Sequence, residues 1–127
     1  MGPSESINRA LNTFFNGFGI PGYLEDNIPP AASLPYLTYK PTIPGGWNET
    51  TSFHARLWYP SKDGRAPILQ TEDTISATLP RGGLKIECEG GAILLDKDDK
   101  DWAQPLNNTP EGYLCEYLIF ELTRLIP

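Results

Sequence analysis

A chain of 127 residues can bury one hydrophobic core but not two of independent stability, so a single domain spanning residues 1–127 is expected. Ten Lys and Arg against 16 Asp and Glu give a net charge of −6, which leaves no clustered cations for phosphates and argues against sequence-specific nucleic-acid binding. Apolar residues at 39% and charged residues at 20% exclude a disordered composition, while 13 prolines and 12 glycines call for many turns and modest helix content.

The opening MGPSESINRA has no apolar signal-like core, and no run nears the roughly 18 apolar residues of a membrane span. A soluble intracellular product without a membrane partner is therefore expected. Gly2 with Ser6 fits a myristoylation pattern, and Asn48 and Asn107 head N-x-T sequons, but patterns this short recur by chance. From Ile7 the apolar residues Ile7, Ala10, Leu11, Phe14, Phe15 and Phe18 follow the i, i+3, i+4, i+7 series of one helix face. They predict a helix over about Ser6–Gly17, capped by Ser4 or Ser6 and closed near Gly17 and Gly19.

Residues 20–33, IPGYLEDNIPPAAS, read as a loop, because Pro21, Pro29 and Pro30 each remove an amide donor. Leu34–Tyr39 is then a short aromatic strand with Pro35 at its start, which suits an edge. In Thr50–Tyr59, Phe53, Ala55, Leu57 and Tyr59 alternate with Ser52, His54, Arg56 and Trp58, the period of a half-buried strand. Pro67 opens a short second helix through Ile68, Glu72, Ile75 and Leu79, and Pro80-Arg81-Gly82-Gly83 stops it. LKIECEGGAILLDKDD from Leu84 reads as a hairpin turning at Glu89-Gly90-Gly91. After an acidic loop and WAQPLNNTPEG comes a last strand with Leu114, Leu118, Phe120 and Leu122 on one face and Tyr113, Cys115, Tyr117 and Ile119 on the other. A strand apolar on both faces needs two partners: the helices on one side, and on the other either more of the same chain or a second subunit.

The residues for chemistry are sparse. His54 is the sole histidine, which removes the common hydrolytic triads and metal sites, and it is read as a solvent-facing residue beside Arg56. Cys88 and Cys115 fall in apolar strand runs, where they either pair across the sheet or fill the core as unreactive thiols. Asp96, Asp98, Asp99 and Asp101 offer oxygen ligands, but a calcium loop counted from Asp96 would meet Lys100 and Asn107 at ligand positions, so a solvated acidic turn is expected. The glycine pairs lack the spacing of a phosphate loop. No catalytic residue, cofactor or metal is expected. Trp47, Trp58 and Trp102 with Tyr23, Tyr36 and Tyr59 leave open a carbohydrate- or small-ligand-binding domain, and Cys115 with His54 a cysteine-dependent enzyme.

The stretch FFNGFGIPGYLEDNIPPAASLPYLTY, in which a helix precedes a "LPYLTY" strand, resembles the tail terminators of long-tailed bacteriophages and prophages, also described as minor tail or neck proteins. The resemblance is specific over residues 7–39 and otherwise lies in the order of elements. It implies an α+β subunit: a small antiparallel sheet of about four to five strands with the N-terminal helix and a short second helix on one face. It implies further a homo-oligomeric ring, commonly a hexamer, that caps the tail-tube protein, ends tail growth and meets a head-completion or connector protein. The head-side stopper proteins are the neighbouring possibility. Such a protein assembles in the bacterial cytoplasm and ends in the virion. Tyr23, Tyr113, Tyr117 and Ile119, with the edge of the Thr50–Tyr59 strand, become candidate subunit contacts, and Asp96, Asp98, Asp99 and Asp101 a candidate channel-facing loop.

Overall fold

The computed structural model of the chain describes residues 2–125. Helix α1 runs Pro3–Phe15, earlier than predicted, because a proline in the first turn gives up an N–H that has no helical partner. Neither serine caps it. Gly2 occupies the N-cap without a side-chain bond, and the Ser6 hydroxyl instead accepts the Glu89 N–H at 2.8 Å, tying the helix to the turn at residues 89–90. Ile7, Leu11 and Phe15 of the predicted stripe are buried, and Ala10, Phe14 and Phe18 pack around them. Full burial of such side chains stabilises by roughly 1.5–3 kcal/mol each.

The sheet is larger than predicted. Strands β1 (Gly22–Leu24), β2 (Tyr36–Lys40), β3 (Thr50–Pro60), β4 (Leu84–Cys88), β5 (Gly91–Lys97), β6 (Ala103–Leu106) and β7 (Tyr113–Leu125) form one seven-stranded sheet of order β1-β2-β3-β7-β5-β4, with β6 also on β7. The architecture is α+β, with a curled sheet. Two strands were hidden in segments read as loops. β1 lies in the proline-rich hinge and pairs parallel to β2, so the sheet is not purely antiparallel. β6 pairs antiparallel to β7 in spite of Pro105. β2 begins at Tyr36, two residues later than predicted.

β3 and β7 form the spine, paired from Thr50–Thr123 to Pro60–Tyr113. β3 lies between β2 and β7, and β2 covers its edge over residues 54–58, which removes that stretch as a subunit contact. The alternation holds: Phe53, Ala55, Leu57 and Tyr59 of β3 and Leu118, Phe120 and Leu122 of β7 are buried in the same core as the α1 stripe. Both helices therefore cover one face.

The second helix is not short: α2, Ala66–Thr78, has 13 residues, the same as α1. Ile68 and Ile75 are fully buried. Its weak apolar stripe is supplemented by polar ties to the sheet, from Tyr59 to Thr71, from Arg65 to Glu116 at 3.0 Å and from the Lys97 ammonium to the Ser76 hydroxyl at 2.8 Å. Glu72 fits this interface poorly. One of its oxygens is buried with no hydrogen-bond partner, and burial first, then Glu116 and Asp73, push its carboxyl above the usual carboxylate range. Such a group stabilises the fold fully below its unfolded value, and the contribution fades as pH rises through the raised folded value. Glu72→Gln is therefore expected to raise the melting temperature at about pH 7 and to leave it unchanged at about pH 4, as read by thermal unfolding at the two pH values.

Candidate functional site

The face of the sheet away from the helices is the candidate site. β3 and β7 place His54, Arg56 and Trp58 beside Ile119, Tyr117 and Cys115, and β2 adds Tyr36, Thr38 and Lys40. All of these point away from the core, because side chains alternate along a strand. Tyr23 joins them from β1, with its ring 5.9 Å from that of Tyr36. Three of the four candidate contacts, Tyr113, Tyr117 and Ile119, lie on β7, and Tyr23 is three strands away on β1.

The face changes character along β7. At the Tyr113 end it is aromatic: Trp58 meets Tyr113 edge-on at 6.1 Å and donates its indole N–H to the Thr38 hydroxyl at 3.1 Å. These rings shield Thr38 and Cys115, both buried. Burial, then Tyr113, Cys115 and Tyr23, raises the Tyr36 phenol.

In the middle, Tyr117 is flanked by charge. His54 stacks on its ring at 4.9 Å, and the Arg56 guanidinium lies 5.7 Å from its centroid. Glu25, from the hinge after β1, accepts a hydrogen bond from Arg56 and bonds the His54 imidazole at 3.1 Å. The histidine is thus half-buried in a network rather than facing solvent. Alternation could have placed His54, Arg56 and Tyr117 together, but nothing in a proline-rich segment marks Glu25 as their partner.

The far end is acidic. β5 and β6 flank the same edge of β7, and the intervening residues 98–102 loop out at Ile119, whose carbonyl accepts the Asp98 N–H and whose N–H donates to the Trp102 carbonyl. Asp96 is the exception to the predicted loop, since it lies within β5 opposite Glu121. The Asp98 carboxylate accepts the N–H groups of Lys100 and Asp101, which holds it below its usual value. Burial first, then Asp99, Asp98 and Asp96, raises the Glu121 carboxyl, so Glu121 belongs to this patch although only the strand register reveals it. Among the described residues no group of three or more His, Cys, Asp or Glu is placed to hold a metal.

The remaining candidates separate. Cys115 stands opposite Trp58 whereas His54 stands opposite Ile119, and burial pushes the Cys115 thiol up to about 12, unlike an activated nucleophile. Cys88, half-buried on β4, is also a free thiol. The aromatic residues do not line one groove: Tyr59 is in the core, Trp102 packs edge-on to Phe120, and Trp47 stacks under Arg124 at 4.3 Å. No described helix is long and apolar enough to cross a membrane.

Comparison with known proteins adds a fold. No family model matches the chain, and no curated protein does. One solved structure superposes with a TM-score of 0.61 at 16% identity. The match covers 98% of this chain and 94% of that one. At that identity the two share an architecture, a likeness that extends over nearly the full length of both.

Proposed function

We propose that this chain is a structural, non-enzymatic virion protein: the subunit of a homo-oligomeric ring that caps a tail tube, ends tail growth and offers the surface that joins the head. The observation that carries the reading is the second face of β7. Tyr23, Tyr36, Trp58, Tyr113, Tyr117 and Ile119 are all half-buried there, with no helix over them. Side chains of this kind, aromatic with polar edges and Arg among them, form the centres of protein interfaces. The face runs from an aromatic end to an acidic end over roughly 27 Å at about 3.4 Å per residue. A ring needs two different patches on each subunit, and a surface so polarised supplies one that cannot match itself. In this reading the residue 20–33 hinge presents Tyr23 to the neighbouring subunit. Asp96, Asp98, Asp99, Asp101 and Glu121 face the channel, where negative charge keeps passing DNA from sticking.

Light scattering over a concentration series, with negative-stain images and with purified tail-tube protein added, tests the ring. Rings, alone or on tube ends, are expected, and Ile119→Lys with Tyr113→Ser is expected to abolish them while the far-ultraviolet circular dichroism is unchanged. Replacing Asp96, Asp98, Asp99 and Asp101 by Asn is expected to leave rings intact and to lower DNA delivery in an infectivity assay. A protein that never exceeds a dimer, with or without tube protein, overturns the reading.

A further inference from the structure

The two end strands of the sheet are finished differently, and the short β6, which pairs β7 off the main strand order, carries Pro105 in its edge. At β1 both outward groups of Gly22 and the outward carbonyl of Leu24 are already satisfied. Asn16, the residue that ends α1, accepts the Gly22 N–H at 2.9 Å and donates its side-chain amide to the Gly22 carbonyl at 3.2 Å. The Leu24 carbonyl accepts the Asn27 N–H at 2.9 Å. The helix end also lies so close that a Cβ on Gly22 would sit 2.8 Å from the Phe15 carbonyl oxygen. A further strand has no access there.

At β4 no such cover exists. Cys88 and Gly91 flank the two-residue turn and are paired, so Cys88, Ile86 and Leu84 bond inward to Gly91, Ile93 and Leu95. The N–H and C=O groups of Lys85 and Glu87 consequently point outward, and among the described residues no backbone hydrogen bond outside the ladders reaches either. Their side chains are 61% and 78% exposed. The opposite side of β4 carries Leu84, Ile86 and Cys88, each partly buried against the core and so partly open to solvent.

We infer that β4 is a self-association edge at which a second copy of this chain pairs antiparallel, about a two-fold axis at Ile86, to continue the sheet. The register follows from two conditions. Outward groups must meet outward groups, which allows Lys85 opposite Lys85, Glu87 opposite Glu87, or Lys85 opposite Glu87. Only the last places unlike charges opposite each other, and it does so twice by symmetry. It also brings Ile86 against Ile86 and each Leu84 against the other copy's Cys88. Cys88 lies at a groove between α1 and the end of β4, lined by Arg9, Ala10 and Thr13. The Lys85–Glu87 pair within one chain, 3.5 Å apart and exposed, contributes little by itself, so partners across the axis take it up without loss. The capped β1 edge removes head-to-tail extension from β4 to β1, and Pro105 interrupts the β6 edge, so the pairing of β4 with itself is two-fold and closed. The contact leaves the Tyr113–Leu122 face free, so it stands independently of the ring.

Five residues per strand make a small interface, and a dissociation constant on the order of 10–100 μM is expected. Sedimentation equilibrium of the full chain measures it. Lys85→Glu or Glu87→Lys alone sets like charges opposite and is expected to weaken the dimer roughly tenfold or more. The double variant K85E/E87K restores it, as does mixing the two single variants. A register-specific check uses the native thiol. Leu84→Cys faces Cys88 of the other copy at a non-hydrogen-bonded pair, where the Cα spacing of about 4.5 Å suits a disulfide. Mild oxidation should give a covalent dimer that is absent from L84C/C88S. A wild-type monomer at all accessible concentrations, equal masses for the single and double charge variants, or no L84C cross-link overturns the edge pairing. Loss of large rings with this dimer intact counts against the ring alone.

Discussion

Phe120→Ala is expected to destabilise the protein by about 3–5 kcal/mol, the range for emptying the site of a buried ring. Phe120 is fully buried at the centre of the spine. It stacks on Phe53 across the β3–β7 ladder at 5.3 Å and meets Phe15 of α1 edge-on at 5.3 Å and Trp102 edge-on at 5.0 Å. The substitution thus removes at once a strand-to-strand contact, the anchor of the α1 stripe and the support beneath the loop after β5. Collapse cannot refill the space, because the neighbours are rings fixed on three separate elements. Against a total of about 5–15 kcal/mol for a domain, the loss is about a fifth of the stability or more. Urea unfolding should show a lower midpoint at unchanged slope, and Phe120→Leu, which keeps most of the volume, should lose less than half as much. Equal losses for Leu and Ala would mean that the ring stacking, rather than volume, holds the site.

What the sequence discloses and what it hides divide along the range of the interactions. The α1 stripe and the alternation of β3 and β7 are local patterns, and Ile7, Leu11, Phe15, Phe53, Leu57 and Leu118 all lie where their spacing puts them. β1 and β6 have no such pattern: three and four residues among prolines become strands because β2 and β7 offer them ladders. That is a decision of the tertiary structure, and it enlarges the sheet beyond four or five strands. The same division governs the site. Tyr113, Tyr117 and Ile119 on one face follow from period two. The union of Glu25 with His54 and Arg56, and of Glu121 with Asp96, depends on which strands become neighbours. Asn16 shows the point most plainly, since as a helix-ending residue it is unremarkable, yet its amide closes a sheet edge six residues on.

Arg65→Ala is expected to destabilise the fold by about 2–3 kcal/mol, although Arg65 itself is about half exposed. The effect comes from its partner. Glu116 occupies a core-facing position of β7, opposite Leu57 and Pro105, with its side chain only 5% exposed. The Arg65 guanidinium at 3.0 Å is the cation that compensates its carboxylate, and Glu72, already poorly satisfied, adds a second acid nearby. Removing the arginine leaves a buried charge uncompensated, which in a fully enclosed pair amounts to about 3–5 kcal/mol. Access of water to the Arg65 side reduces that figure to the lower value. The same logic gives the opposite sign for the second substitution. Glu116→Leu removes the desolvated charge and adds apolar surface beside Leu57 and Leu118, so R65A/E116L should regain most of the stability lost by Arg65→Ala alone. Urea midpoints for the wild type, the two single variants and the double variant complete the cycle. If the double variant is no more stable than Arg65→Ala alone, Arg65 acts by packing at the start of α2, and Glu116 is solvated through that end of the helix.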